Sequence, residues 1–246
     1  MQAVILAAGE ARRLRPLTDN KPKCLLEVAD GTTVLDATVR NLLWAGADEL
    51  VLVTGFCAQQ IRAHMAKHYP GLQVRWVHNE RFATTNNAYS LWLAREAVRG
   101  PFLLLDADIL FDRRILAMLL GLRHHDALAV RTAGHWSEED MKVVLDPQGL
   151  VQTISKKVRV ESASGESIGI EKFSAQFARA LFAELGRRMD GGRGAQEFYE
   201  ASFQAVIEAS MRLYGLDISP LACVEIDTLE DYRHAREVAA GLCSVE

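Results

Sequence analysis

The stretch Ala3-Val4-Ile5-Leu6-Ala7-Ala8-Gly9-Glu10-Ala11-Arg12-Arg13-Leu14-Arg15-Pro16-Leu17-Thr18, continued by Pro22-Lys23-Cys24-Leu25-Leu26, decides the fold. Its first four residues form a short apolar run with no polar alternation, and the run stops at Gly9. That is the pattern of a strand buried on both faces, as in parallel sheets. It predicts a first, central strand followed at once by a small-residue loop.

Similar runs recur at 50–54, 73–77 and 102–105, and helical spacing lies between them: Leu35, Val39, Leu42 and Leu43, then 61–68, then 88–98. Strand alternating with helix predicts an α/β fold, a Rossmann-like, mostly parallel central sheet flanked by helices, with right-handed crossovers. After Asp112 the pattern changes. Asp146-Pro147-Gln148-Gly149 separates the apolar runs 143–145 and 150–154, a turn between antiparallel strands. Two helices are expected at 175–189 and 195–211, divided by Gly191-Gly192-Arg193-Gly194, then a short strand at 223–226 and a C-terminal helix from Leu229. The expected organisation is a single domain over 1–246. Residues 1–112 form a nucleotide-binding part, about 113–222 a smaller antiparallel substrate lobe, and 223–246 a late metal-binding strand with its helix.

Length and composition agree with one globular core: 246 residues, 49% hydrophobic and 24% charged. A net charge of −4 offers no basic field for a nucleic-acid backbone. The opening apolar run is too short for a signal-peptide core or a membrane span, so a cytoplasmic protein without a membrane partner is expected. Cys24, Cys57, Cys223 and Cys243 have no metal-ligand spacing and read as reduced, mostly buried thiols. The sequence leaves a homo-oligomer open.

The loop after the first strand carries chemistry. In an open α/β sheet ligands bind beyond the carboxyl ends of the strands, and the small residues after Leu6, at Ala7, Ala8 and Gly9, let a backbone approach a nucleotide. Arg13 offers a planar fork for phosphate oxygens, and Lys23, after Pro22, a point charge for the reacting phosphoryl group. Three neighbouring arginines also suit an ordinary surface loop. Neither the dinucleotide-binding nor the Walker A spacing fits the segment. A strand end at Leu105-Asp106-Ala107-Asp108 supplies hard oxygen ligands for Mg²⁺, with Asp108 first, and Glu225-Ile226-Asp227-Thr228 repeats the pattern. By itself Asp227 equally suits the N-cap of the last helix.

The segment 6–26 resembles the signature of the sugar-phosphate nucleotidyltransferase superfamily, which runs Leu-Ala-Ala-Gly, x, Gly, x, Arg-Leu, x, Pro-Leu-Thr, then Pro-Lys. The departure is Ala11, where that superfamily usually has glycine. The resemblance implies the nucleotide-diphospho-sugar transferase fold and catalytic roles for Lys23 and Arg13. It also implies Mg²⁺ on Asp108 and Asp227, with Glu225 a third ligand. Asp106 is then expected to hold the ribose or to orient Lys23.

Asn79-Glu80-Arg81-Phe82 and Asn86-Asn87-Ala88-Tyr89-Ser90 replace the glycine-rich stretch of hexose-1-phosphate enzymes and are similar to the phosphocholine and phosphonate cytidylyltransferase branch. CTP and a small phosphate- or phosphonate-bearing acceptor, such as phosphocholine or 2-aminoethylphosphonate, are the expected partners. Asn86 and Asn87 either read a pyrimidine edge or cap a helix. Lys142 and Lys156 are expected to bind the acceptor's anion and Gly169 to mark a close backbone approach. Trp136, Phe198 and Tyr199 suit an aromatic wall for a quaternary amine, although such rings are more often core. The rival readings are a hexose-1-phosphate uridylyl- or thymidylyltransferase and a catalytically silent nucleotide-binding regulatory subunit. A dehydrogenase lacks its Gly-x-Gly-x-x-Gly.

Overall fold

The computed structural model describes residues 1–122 and 126–242. The chain runs β1 (Gln2–Ala7), a ribbon of β2 (Glu27–Ala29) and β3 (Thr32–Thr33), α1 (Val34–Trp44), β4 (Glu49–Thr54), α2 (Ala58–His68), β5 (Gln73–His78), α3 (Asn87–Leu93), β6 (Phe102–Asp106), β7 (Ile109–Phe111) and α4 (Arg114–Gly121). It continues through β8 (Ala127–Arg131), β9 (Lys142–Leu145), β10 (Val151–Ser155), β11 (Gly165–Phe173), α5 (Ala175–Asp190), α6 (Glu200–Glu208), β12 (Tyr214–Asp217), β13 (Cys223–Glu225) and α7 (Leu229–Leu242).

β1 pairs in parallel with β4 on one side and β6 on the other, and β5 lies beyond β4. The chain therefore leaves β1 toward one edge and returns to its other flank, which opens a crevice beyond the carboxyl ends of β1 and β6. The continuous apolar runs have their expected cause: Ile5, Leu52 and Leu105 enter the core on one face, and Val4, Val51 and Leu104 on the other. Each such side chain contributes roughly 1.5–3 kcal/mol by leaving water.

The antiparallel part extends the same sheet. β11 pairs antiparallel with β6, β8 and β9, and β9 pairs with β10 across the 146–149 turn. The second lobe is thus joined to the nucleotide half through one nine-residue strand. A separate ribbon pairs β7 with β13, Glu225 opposite Ile109 and Cys223 opposite Phe111.

Two expected helices differ. The helix over 88–98 stops at Leu93 and continues as a 3₁₀ turn, Ala94–Glu96. The helix expected over 195–211 begins at Glu200, because the preceding residues are tied to α3: the Asn86 amide donates to the Ala195 carbonyl at 2.8 Å, and the Tyr199 amide to Asn87 Oδ1 at 3.0 Å. Among the described cysteines, none is in a disulfide; Cys24 is buried, Cys57 and Cys223 are half-buried, and Cys243 lies outside the described residues. No described helix is long and apolar enough to cross a membrane.

Candidate active site

Lys23 opens a short 3₁₀ turn after Pro22, and its ammonium lies between two carboxylates, 2.7 Å from Asp108 Oδ2 and 2.8 Å from Asp227 Oδ1. Backbone pairing produces this meeting. Asp108 stands between β6 and β7, and the Ile226 amide donates to the Asp108 carbonyl at 3.0 Å, so the β7–β13 ribbon carries both acidic segments to one point. Burial by itself would lower the Lys23 pKa, but Asp108 and Asp227 outweigh it and hold the ammonium charged. Burial would raise Asp227, and Lys23 and Arg13 reverse that, leaving it below its ordinary value. The Arg13 guanidinium donates to Asp227 Oδ2 from the solvent side.

Asp227 does not cap α7. Thr228 and Asp231 do so, the Asp231 amide donating to Thr228 Oγ1 at 3.2 Å and the Thr228 amide to Asp231 Oδ2 at 2.7 Å. The Asp227 carboxylate is left to the cleft. One oxygen each of Asp108, Glu225 and Asp227 lies within 4.8 Å of the others, and Asp108 Oδ1 is buried with no hydrogen-bond partner. A set of hard oxygens with an unsatisfied member fits a divalent cation. Glu225 is pushed up to about 8 by burial and by the charges of Asp108 and Asp227, which outweigh the opposing pull of Lys23.

Two cavities flank this cluster. The smaller, about 130 Å³, is lined by Leu6, Ala7, Gly9, Ala11, Lys23 and Asp108. Ala8 stays outside it, and its carbonyl accepts from the Phe56 amide at 3.0 Å. Ala11 adopts a left-handed conformation, φ 49° and ψ 51°, stabilised by Thr18 Oγ1, which donates to its carbonyl at 2.8 Å.

The larger cavity, about 470 Å³, opens on the other side, where Arg13, Glu225 and Asp227 form part of its wall. Asn87, Asp106, Lys156 and Gly169 also line it. Gly169 has φ +71°, and a Cβ there would stand 2.7 Å from Asp106 Oδ2, so only glycine allows this approach. Phe198 lines the cavity with the Lys156 ammonium 4.6 Å from its ring centre.

Besides Ala8, three expected site residues lie elsewhere. Lys142 is fully buried and donates to the carbonyls of Ser137, Glu138 and Asp140 at 3.0, 3.1 and 3.3 Å; its donors are taken up in tying down that loop. Tyr199 is also fully buried, its hydroxyl donating to Asp106 Oδ2 at 2.9 Å behind the cavity wall; Phe198 is the exposed ring. Asn86 takes the capping role, its Oδ1 accepting from the Asn87 amide at 2.8 Å, and it does not line the cavity.

Sequence reasoning missed a group of buried acids. Glu200 is 6% exposed, lines the cavity, and has one carboxylate oxygen without a partner. Burial pushes its pKa to about 7, against a small opposing pull from a backbone hydrogen bond and Lys156. Glu171 in β11 is fully buried with neither oxygen hydrogen-bonded, and Asp106 stands well above the usual carboxylate range, through burial first and then its acidic neighbours. Glu139, Asp140 and Glu166 add further acids to the wall. Against this group the cavity's cations are Arg13, already on Asp227, and Lys156. A glutamate directly after the apolar run 168–170 was the readable signal.

A family model described as MobA-like NTP transferase domain matches residues 3–207. The chain is 30% identical over 245 residues to CMP-5'-(3-aminopropyl)phosphonate synthase of Streptomyces rubellomurinus, covering 96% of this chain but 38% of that protein's length. It is 25% identical over 246 residues to choline-phosphate cytidylyltransferase of Streptococcus pneumoniae, covering 97% and 98% of the two chains. The solved structure of CTP:phosphocholine cytidylyltransferase from Streptococcus pneumoniae superposes with a TM-score of 0.76 at 22% identity, covering 97% of this chain and 98% of that one, a likeness of fold.

Proposed function

The chain belongs to the MobA-like NTP transferase family, and we propose that within it the protein transfers CMP from CTP to a small acceptor bearing a phosphate or phosphonate at one end and an ammonium group at the other. The observation that carries the acceptor class is the cavity beside the Lys23 cluster, where the buried carboxylate of Glu200, one oxygen of which has no partner, faces a space otherwise rich in acids. A cationic group entering there supplies the missing counter-charge, and Phe198 offers a ring beside it. Relatives named for aminopropylphosphonate and choline phosphate support the same reading. A sugar phosphate, anionic at its phosphate and neutral in its sugar, brings no cation to those acids, so the hexose reading comes second.

In this reading an anionic oxygen of the acceptor attacks the α-phosphorus of CTP; a new P–O bond forms, the bond to the β-phosphate oxygen breaks, and pyrophosphate leaves. The acceptor oxygen is already ionised, so the chain needs no general base. Lys23 neutralises charge growing on the α-phosphate, and Arg13, on the solvent side, steadies the departing phosphates. The oxygens of Asp108, Glu225 and Asp227 would hold Mg²⁺, which supplies further charge neutralisation on the phosphates when bound.

Pyrophosphate release with Mg²⁺ and each common nucleoside triphosphate, against phosphocholine, 2-aminoethylphosphonate, 2-hydroxyethylphosphonate and glucose-1-phosphate, tests the proposal. The expected result is release with CTP and an amine-bearing acceptor, abolished by a chelator. Release only with UTP or dTTP and the sugar phosphate moves the protein to the hexose group, and no release with any pair supports the silent-binder reading.

A further inference from the structure

A larger cavity than either at the cleft lies at the other end of the β7–β13 ribbon. It encloses about 720 Å³ between α1, the residues following β7, and α7. Its polar wall is basic: Arg40, Arg113 and Arg114 line it with a single acid, Asp112. Asp112 is already neutralised by Arg114 at 2.5 Å. Arg40 and Arg113 make no ion pair among the described residues; Arg40 has a long contact of 3.4 Å to Thr32 Oγ1 and interacts with the Tyr69 hydroxyl, and the Arg113 guanidinium lies 4.9 Å from the centre of the Trp44 ring. The apolar wall includes Phe111, Val238 and Trp44, which is 49% exposed for so large an aromatic.

Two guanidiniums without a carboxylate partner among the described residues, beside an accessible indole, describe a ligand with two parts. Planar guanidinium forks match phosphate oxygens, and an indole offers a flat apolar surface for a ring. The volume falls within the range of about 300–1,000 Å³ typical of small-molecule sites and exceeds what inorganic phosphate needs. A second copy of the chain is a poorer occupant, because a two-fold contact on this face would bring arginines against arginines. We propose that this cavity is a second small-molecule site, separate from the catalytic cleft, for a nucleotide whose phosphates meet Arg40 and Arg113 and whose base lies against Trp44. It depends on neither Lys23 nor the acidic cluster, and so stands or falls independently of the CMP-transfer reading.

Position gives such a site a line to the cleft. The Asp112 amide donates to the Ala222 carbonyl at 2.9 Å at the cavity end of the ribbon, and the Ile226 amide to the Asp108 carbonyl at the cleft end. A ligand at one end therefore meets Phe111 of β7 and Ala222 just before β13, and the other end of the same ribbon adjoins Asp108 and carries Glu225.

The test is calorimetric titration of AMP, ADP, ATP, CMP, CDP and CTP into the wild-type protein and into the double variant Trp44→Ala/Arg113→Ala, in the presence of a chelator. At least one nucleotide is expected to bind the wild type with an affinity that the double variant lowers ten-fold or more. Because both side chains are surface-accessible, the variant should keep its thermal midpoint, which is measured alongside; Arg113→Gln alone is the milder control and should lower the same affinity at least three-fold. Equal binding of all six nucleotides to wild type and variants, or no binding at all, overturns the proposal. So does a sedimentation shift from dimer to monomer in the double variant with nucleotide binding unchanged, which would make the face a subunit contact.

Discussion

The Lys23 ammonium and the Asp227 carboxylate, 204 positions apart in the chain, meet at 2.8 Å inside the crevice. Their pairing joins the first loop of the fold to its last strand, and Asp108 completes the bridge from the centre. Lys23→Ala should lower kcat/KM for CTP by about 10²-fold or more, since one preorganised charge on a developing phosphate charge is worth roughly 3–4 kcal/mol. Steady-state pyrophosphate release measures it, and a loss of only a few-fold would remove Lys23 from the chemistry. Lys23→Arg should recover little, because a broad fork cannot occupy the space of a point charge between two carboxylates.

Glu200 links the proposed acceptor site to stability. Its carboxyl titrates near 7 in the fold, against 4.5 ordinarily, because burial disfavours the charged form. A raised carboxyl pKa means that the folded state binds the extra proton, so its contribution is full below pH 4.5 and is lost as pH rises through 7. Above pH 7 the cost is on the order of 3 kcal/mol. Glu200→Gln should therefore raise the denaturant midpoint at pH 8 and flatten its decline between pH 5 and 8. The same variant should raise KM for an amine-bearing acceptor about ten-fold or more while changing KM for CTP little. Unchanged acceptor KM would sever the ammonium from Glu200.

Ala11 stands in the left-handed region that glycine enters without steric cost. An L-residue there costs about 1–2 kcal/mol, partly offset by the lower unfolded-state entropy of alanine. Ala11→Gly should leave turnover within two-fold and raise stability by about 0.5–1 kcal/mol in chemical denaturation. Ala11→Val should do the opposite, because a β-branched side chain tolerates this conformation least.

Lys142 acts on the loop beside the cavity. Its three carbonyl acceptors belong to residues 137–140, and Glu139 and Asp140 from that loop line the wall. Lys142→Met keeps most of the buried volume but leaves the carbonyls without their donor, a loss of about 2 kcal/mol. Acceptor KM should rise several-fold with kcat held within about three-fold. A collapse of kcat with KM unchanged would instead give the residue a role in the chemistry.

The local pattern of the chain determined the parallel strands β1, β4, β5 and β6, the loop after β1 and the acidic strand ends, because two-faced burial, tight turns and paired carboxylates each leave a short-range signature. Val4-Ile5-Leu6 reads as a doubly buried strand whatever surrounds it, and Leu105-Asp106-Ala107-Asp108 ends another. What local pattern did not determine was direction. Lys142 and Lys156 look alike in sequence, yet the pairing of β9 with β11 turns the first into the molecule, while the second reaches the cavity. Phe198 and Tyr199 are neighbours, and the tie between the Tyr199 amide and Asn87 sets the start of α6, with Phe198 on the cavity and Tyr199 beneath Asp106. Glu171 and Glu200 come from distant segments, and their shared low-dielectric surroundings arise only when β11 and α6 pack. Burial and pairing over long sequence separations are properties of the assembled sheet, so the acid-lined character of the cavity belongs to the tertiary structure alone.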